Sequence, residues 1–140
     1  MNRRALAADV VVLAGEPPRS VLLIKRGGDP FAGSWALPGG FVEADEQVVA
    51  AAVRELAEET GIQAGALELV GVYDTPGRDP RGPIVSVVQL MRADRELDAT
   101  GGDDAADARW FPLEGLPELA FDHALVVADA LSFAARGRRS

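Results

Sequence analysis

Three carboxylates, Glu55, Glu58 and Glu59, follow one another at i, i+3 and i+4 in the stretch RELAEETGI. Residues three and four apart are neighbours on a helix surface, so in a helix the three charges share one face. No lysine is interspersed to offset them. Two bare carboxylates about 4 Å apart repel by roughly 4 kcal/mol at an effective dielectric near 20. A surface helix sheds that cost when a cation or a shared proton removes it. Hard divalent cations such as Mg²⁺ and Mn²⁺ take oxygen ligands of this kind, so the stretch reads as a metal platform.

The segment that must position these acids runs from Gly40 to Ile62, GFVEADEQVVAAAVRELAEETGI. Its helix is expected to begin after Asp45, an N-cap residue, with Glu46 and Gln47 in the favourable first turn. Val49, Ala52, Val53 and Leu56 fall on one stripe and the three acids on the adjacent one. The apolar stripe should pack on a sheet while the acidic stripe faces a cleft beside it. Gly61 is placed to end the helix as a left-handed residue. Ahead of it, Pro38-Gly39-Gly40 reads as a turn whose paired glycines imply close backbone approach or positive φ.

Around this helix the chain supplies strands. Leu6 to Ala14 and Ser20 to Lys25 form an expected antiparallel hairpin across the turn Gly15 to Arg19. Trp35 to Leu37 is a short extended piece, and Leu67 to Tyr73 and Ile84 to Arg92 are β-branched runs. The loop Asp74 to Pro83 separates those two runs. Asp94 to Ala108 reads as a polar loop with acids at Asp103, Asp104 and Asp107, followed by a short strand at Arg109 to Phe111. Asp122 to Ala135 is a closing amphipathic helix, with Arg136, Arg138 and Arg139 at its dipole-favoured end. No regular βαβ rhythm appears, so a mixed sheet between helices fits better than a doubly wound fold.

At 140 residues, the chain is expected to be one domain over 1–140, with 48% hydrophobic and 26% charged residues placing it among ordinary globular proteins. Fourteen basic against 22 acidic residues leave a net charge of −8, which repels a nucleic-acid backbone and argues against a polymeric DNA or RNA partner. A small phosphorylated ligand fits, because a bound cation locally reverses the sign. Without cysteine and with one histidine, the chain has no thiol nucleophile and no histidine-rich zinc site. The start MNRRALAADVVVLAG mimics a signal peptide, but Asp9 interrupts its apolar run and no convincing cleavage site follows, so a first strand is expected there. No apolar run approaches the 18 or so residues of a membrane span, and a cytoplasmic protein is expected.

The residues of Gly40 to Ile62 resemble the Nudix box. That pattern is Gly, five residues, Glu, seven residues, Arg-Glu, an aliphatic, one residue, Glu-Glu, one residue, Gly and an aliphatic. Gly40, Glu46, Arg54, Glu55, Leu56, Glu58, Glu59, Gly61 and Ile62 meet it without departure. The resemblance implies an α/β/α sandwich with a mixed β-sheet and a loop–helix–loop catalytic segment. It also implies a Nudix hydrolase, using Mg²⁺ or Mn²⁺ to hydrolyse a nucleoside diphosphate linked to another moiety. Within the family Glu55, Glu58 and Glu59 would form the metal shell together with the main-chain carbonyl of Gly40. Arg54 and Glu46 would be the pair that orients the carboxylates, a role that an ordinary helix salt bridge also fills. The general base would be Glu55 or an acid of the later loop, with Asp104 the loop candidate, unless that loop is a solvated turn.

Outside the box the resemblance narrows towards ADP-ribose diphosphatases, which carry a proline some fifteen residues past it; Pro76 lies 14 beyond Ile62. Gly77 to Gly82 (GRDPRG) with the following IVSVV, Ser34 to Phe41 (SWALPGGF) and Phe121-Asp122-His123 also look like that subgroup. Arg78 and Arg81 are suited to fork onto phosphate or ribose oxygens, or else to pair with Asp74 and Asp79. Trp35 and Phe31 offer rings for a base or for loop packing. His123 reads as a capping or structural residue rather than a catalyst. The expected reaction is ADP-ribose to AMP and ribose 5-phosphate. The alternatives are a pyrophosphatase for nucleoside triphosphates or oxidised nucleotides, and a non-catalytic ADP-ribose sensor. An intact box and no room for a winged helix weigh against the sensor. The partner is a small nucleotide, and relatives that use ADP-ribose are commonly homodimers.

Overall fold

A valine-rich strand, β1 (Ala5–Ala14), is buried over its last eight residues and runs through the middle of the sheet. The computed structural model describes residues 4–136. The other elements are β2 (Ser20–Arg26), β3 (Trp35–Ala36), β4 (Gly39–Phe41), α1 (Val48–Thr60), β5 (Leu67–Tyr73), β6 (Ile84–Ala93), β7 (Ala105–Pro112) and α2 (His123–Arg136). β1 and β6 pair in parallel from Ala5↔Ile84 to Ala14↔Ala93, and β5 pairs antiparallel on the far side of β6. The other edge of β1 is divided. β2 takes Leu13 and Ala14, whereas β4 takes Ala7, Ala8 and Asp9. β3 and β7 both pair antiparallel with β2. The sheet is mixed, as expected.

Two helical layers follow from alternation along the strands, since successive side chains point to opposite faces. Ala8, Val10, Val12 and Leu22 face α1 through Ala51, Ala52 and Leu56. Val11, Leu13, Val21, Leu23, Val88 and Leu90 face α2 through Val126, Val127 and Ala130. A strand covered on both faces reads as a continuous apolar run, which explains the valines of β1. Among the described residues, no helix is long and apolar enough to cross a membrane.

Several expectations need correction. The N-cap is Gln47 rather than Asp45, and it makes no side-chain capping bond. Residues 43–46 form a separate turn instead, closed by Glu46 N–H to the Glu43 carbonyl at 3.0 Å and by the Glu43 N–H to Glu46 Oε1 at 3.1 Å. Val49 and Val53 are 50% and 37% exposed, and the buried stripe is Ala51, Ala52, Leu56, Glu59 and Thr60. Small residues there let α1 sit close on β1, and Glu59 belongs to the packed stripe rather than the one beside it. Pro38-Gly39-Gly40 leads into a strand, because β4 docks on β1. The strand read as Arg109 to Phe111 is longer; its register on β2 runs from Ser20↔Pro112 to Arg26↔Ala105. Gly61 ends α1 at φ 76, as expected, donating to the Ala57 carbonyl. Arg136 lies in the last turn of α2, while Arg138 and Arg139 lie outside the described residues.

Candidate active site

The pairing of β4 on β1 carries two glycines to the side of α1. A Cβ added at Gly40 would overlap the carboxylate of Glu55, and one at Gly39 would overlap Asp9 Oδ1. No other residue fits there without displacing an acid. The Gly39 N–H donates to Glu59 Oε1 at 2.8 Å. The Pro38 carbonyl accepts from the Val10 N–H at 2.9 Å, which holds the turn on β1.

Arg54 gathers the rest of the helix face. Its Nε and Nη2 donate to the two oxygens of Glu46 at 2.7 and 2.9 Å, and Nη1 donates to Glu55 at 2.6 Å and Glu58 at 3.0 Å. Nη2 also donates to the Phe41 carbonyl at 3.1 Å, which links α1 to β4. The sequence reading left all three carboxylates without a cation. Arg54 compensates Glu55 and Glu58, and Glu59 is the one without an ion pair among the described residues. The Arg54 contact draws Glu46 down to about 2.

A cavity of about 730 Å³ opens beside this face. Gly40, Arg54, Glu55, Glu59, Arg78, Arg81 and Asp104 line it. Glu58 and Glu46 stand outside its lining, as do Trp35 and Pro76. Trp35 packs edge-on against Phe111, with centroids 4.8 Å apart, and its ring serves the core. Pro76 is exposed on its loop. The two loop arginines differ. Arg78 has a side chain 4% exposed, clamped on Asp122 by bonds of 2.9 and 2.7 Å and on Ser86 Oγ at 2.9 Å. Arg81 bonds Asp79 through Nε and Nη2 at 3.0 and 2.8 Å and keeps a side chain 37% exposed. Asp74 pairs with neither; Arg4 lies 3.7 Å from it.

The acidic loop enters the site. Thr100 and Gly102 donate to the carbonyls of Thr60 and Glu59 at 3.0 and 3.2 Å, so the loop docks on the end of α1. A Cβ at Gly102 would meet the Glu58 carbonyl oxygen at 2.7 Å, and the glycine makes that approach feasible. Asp103 and Asp104 therefore line the cavity. Asp107 does not; it lies in β7 and pairs with Arg109 at 2.8 Å.

Burial dominates the electrostatics. It lifts Glu59 to about 8, against the opposing Gly39 hydrogen bond, and it also raises Glu55 despite Arg54. Asp9, fully buried, is lifted to about 7, with Ser86 and Arg78 pulling the other way. His123 is held down to about 4 by burial. Its Nδ1 accepts the Leu37 N–H at 3.0 Å, so the neutral ring carries its hydrogen on Nε2, 3.9 Å from Asp9 Oδ2. The structural role expected of His123 is thus seen, as an acceptor inside the fold rather than a cap.

Sequence reasoning gave no site role to Asp9, Arg26, Phe41 or Phe121, all of which line the cavity. Asp9 had a signal, a charge inside a valine strand. Arg26 makes no ion pair among the described residues, and its Nε donates to the Pro30 carbonyl at 2.6 Å. It had no signal, because its importance arises from strands that meet only in the fold.

The donor set suits a hard divalent cation. Every candidate ligand is an oxygen, and two carboxylates are held out of water beside a glycine backbone with no room for a side chain. Among the described residues, no three acidic or histidine side chains converge as a cage; Glu55 and Glu58 are turned to Arg54, and Glu59 to Gly39. Glu55, Glu58 and Glu59 with the Gly40 carbonyl would hold such an ion.

Residues 3–130 match the NUDIX domain family. An ADP-ribose pyrophosphatase of Methanocaldococcus jannaschii is 48% identical over 126 residues, covering 89% of this chain and 72% of that protein. A MutT/nudix family protein from Enterococcus faecalis superposes with a TM-score of 0.90 at 33% identity, over 97% of this chain and 64% of that one. The NUDIX domain of Shewanella oneidensis NrtR, solved with ADP ribose, superposes with a TM-score of 0.85 at 29% identity, over 95% and 90% of the two chains. With the box intact on α1 and the sandwich around it, the chain belongs to the NUDIX family and is a Nudix hydrolase.

Proposed function

We propose that the protein hydrolyses ADP-ribose to AMP and ribose 5-phosphate, with Mg²⁺ or Mn²⁺ held by Glu55, Glu58, Glu59 and the Gly40 carbonyl. The observation that carries this reading is that Glu55 and Glu59 of α1 and the GRDPRG loop line one cavity. The relatives named for ADP-ribose hydrolysis and solved with ADP ribose support the choice of substrate. A bound divalent cation supplies Lewis acidity towards the diphosphate oxygens and acidifies water. Arg54 bonds Glu55 and Glu58 and so confines the positions from which they would turn to the ion. Glu55 or Asp104 takes the proton of the attacking water, both facing the cavity. Arg26, without a carboxylate of its own, offers charge to the departing phosphate.

The test is a panel of ADP-ribose, NADH, a diadenosine polyphosphate, 8-oxo-dGTP and CDP-linked compounds with Mg²⁺ or Mn²⁺. AMP and ribose 5-phosphate are expected from ADP-ribose, which should be preferred. Preference for a triphosphate with pyrophosphate release would reject the assignment. Tight ADP-ribose binding without turnover of any compound would favour a sensor.

A further inference from the structure

Phe41 follows Gly40 directly and leaves 43% of its surface exposed, although it sits at the wall of the cavity. The guanidinium of Arg81 lies over its ring, 4.9 Å from the centroid, and over the ring of Phe121 at 5.5 Å. Asp79, with a side chain 3% exposed, takes the Nε and Nη2 hydrogens of that guanidinium. Two of its five N–H groups are thereby committed, which fixes the guanidinium beside the two rings. Arg26 stands over Phe121 at 5.0 Å, and Phe31 meets Phe121 edge-on at 4.8 Å.

These rings are not ordinary core. Phe31 is 41% exposed, and Phe31 and Phe121 are held at φ 61 and 55, a region that bulky side chains rarely adopt. Such strain persists where the surroundings impose it, and it gathers at ligand clamps. The position matters as much as the chemistry. β4 advances about 3.3 Å per residue, so the Phe41 backbone is one step from the glycine that meets Glu55, and alternation puts its side chain on the face that Gly39 turns to Asp9.

We propose that Phe41 and Arg81, buttressed by Phe121, form the platform on which the planar base of the nucleotide stacks. The proposal rests on reading this cavity as a nucleotide diphosphate site, and it assigns base recognition to π faces rather than to hydrogen-bonding edges. A purine, with the larger face, is the base it fits best. Arg81 then acts through its plane, and phosphate contact is left to the cation and to Arg26.

Binding of AMP and of ribose 5-phosphate, measured by calorimetry with Mn²⁺ present, tests this for the wild type, Phe41→Leu and Phe41→Tyr. Phe41 is 43% exposed, so both variants should fold, and a thermal melt verifies it. Phe41→Leu is expected to weaken AMP about tenfold and to leave ribose 5-phosphate within about twofold, while Phe41→Tyr restores AMP binding. With ADP-ribose the same factor should appear in KM and not in kcat. Equal AMP affinity in wild type and Phe41→Leu would overturn the platform, as would wild-type binding of ribose 5-phosphate as tight as that of AMP. Phe41-dependent AMP binding in a protein that leaves ADP-ribose intact would uphold the platform and reject the substrate.

Discussion

His123 Nδ1 accepts the N–H of Leu37 at 3.0 Å across 86 residues of sequence, tying the first turn of α2 to the segment that delivers Gly39 and Gly40. The ring is 4% exposed, so the Leu37 N–H has no water to replace it. His123→Ala is expected to destabilise the fold by about 1–3 kcal/mol through that orphaned donor alone. It should also raise the divalent-cation concentration needed for half-maximal activity. Urea unfolding and a Mn²⁺ titration of activity check the two effects.

Glu59 is buried and lifted to about 8, and Gln keeps an oxygen for the Gly39 N–H. A group raised in this way contributes stability that is full below its ordinary 4.5 and is lost as pH rises through 8. In chelator, Glu59→Gln is therefore expected to melt above the wild type at pH 8 to 9, while losing roughly 100-fold or more in kcat. Adding Mn²⁺ should raise the melting temperature of the wild type much more than that of the variant. A variant less stable than wild type in chelator would contradict the electrostatic reading.

Glu46 touches no part of the cavity, yet both its oxygens hold Arg54. Glu46→Gln is expected to weaken metal activation about 10- to 100-fold, the range seen when an outer partner of a metal ligand is removed. The melting temperature should fall as well, since the Glu46 side chain is 14% exposed and its ion pair with Arg54 is lost. A Mn²⁺ activation curve beside a thermal melt separates the two.

Arg78 and Trp35 are both expected to serve the fold rather than the nucleotide. Arg78→Met leaves Asp122 without its clamp and is expected to destabilise the protein by about 3–5 kcal/mol. Trp35→Phe keeps an edge-on contact with Phe111 and should leave KM for the nucleotide unchanged. Denaturant midpoints and KM values report each outcome.

Asp9 and His123 titrate in opposite senses. Asp9 contributes stability that is full below 3.8 and lost as pH rises through about 7, whereas His123 contributes stability that is full above 6.5 and lost as pH falls through about 4. Arg78, Asp122, Arg26 and Asp79 act on the same ring and are unchanged by an Asp9 substitution. Relative to wild type, Asp9→Asn is expected to lose on the order of 3 kcal/mol as pH falls from 7 to 4. Unfolding free energies in chelator, taken stepwise over that range, would show parallel curves if the pair were uncoupled from folding.

How legible the site is in the sequence depends on the reach of each signal. The helix that carries the acids and the glycine at its end are local, set by spacings of three and four residues, and they are found where the pattern puts them, although Glu59 joins the packed stripe and Glu58 stands outside the cavity. The strand runs are legible because alternation and β-branching are local too. β4 is not, since its extended shape comes from docking on β1 some thirty residues earlier. Nor is the true extent of β7, which its register on β2 decides. Arg78 and Arg81 look alike in GRDPRG and part only when Asp122, from another element, claims one of them. Phe41, Arg81 and Phe121 become a column only once three separate segments converge.

β1 gives this arrangement an arithmetic. Ala8, Val10 and Val12 turn to α1, and Val11 and Leu13 turn to α2, so even and odd residues serve different masters. Gly40 lies opposite Ala8 and Gly39 opposite Asp9, and the same count decides which glycine meets Glu55 and which meets the buried aspartate. A slip of one residue would exchange the two faces along the whole strand. Single insertions between positions 5 and 14 should therefore abolish the enzyme more completely than any substitution there, because they change the parity on which both halves of the site depend.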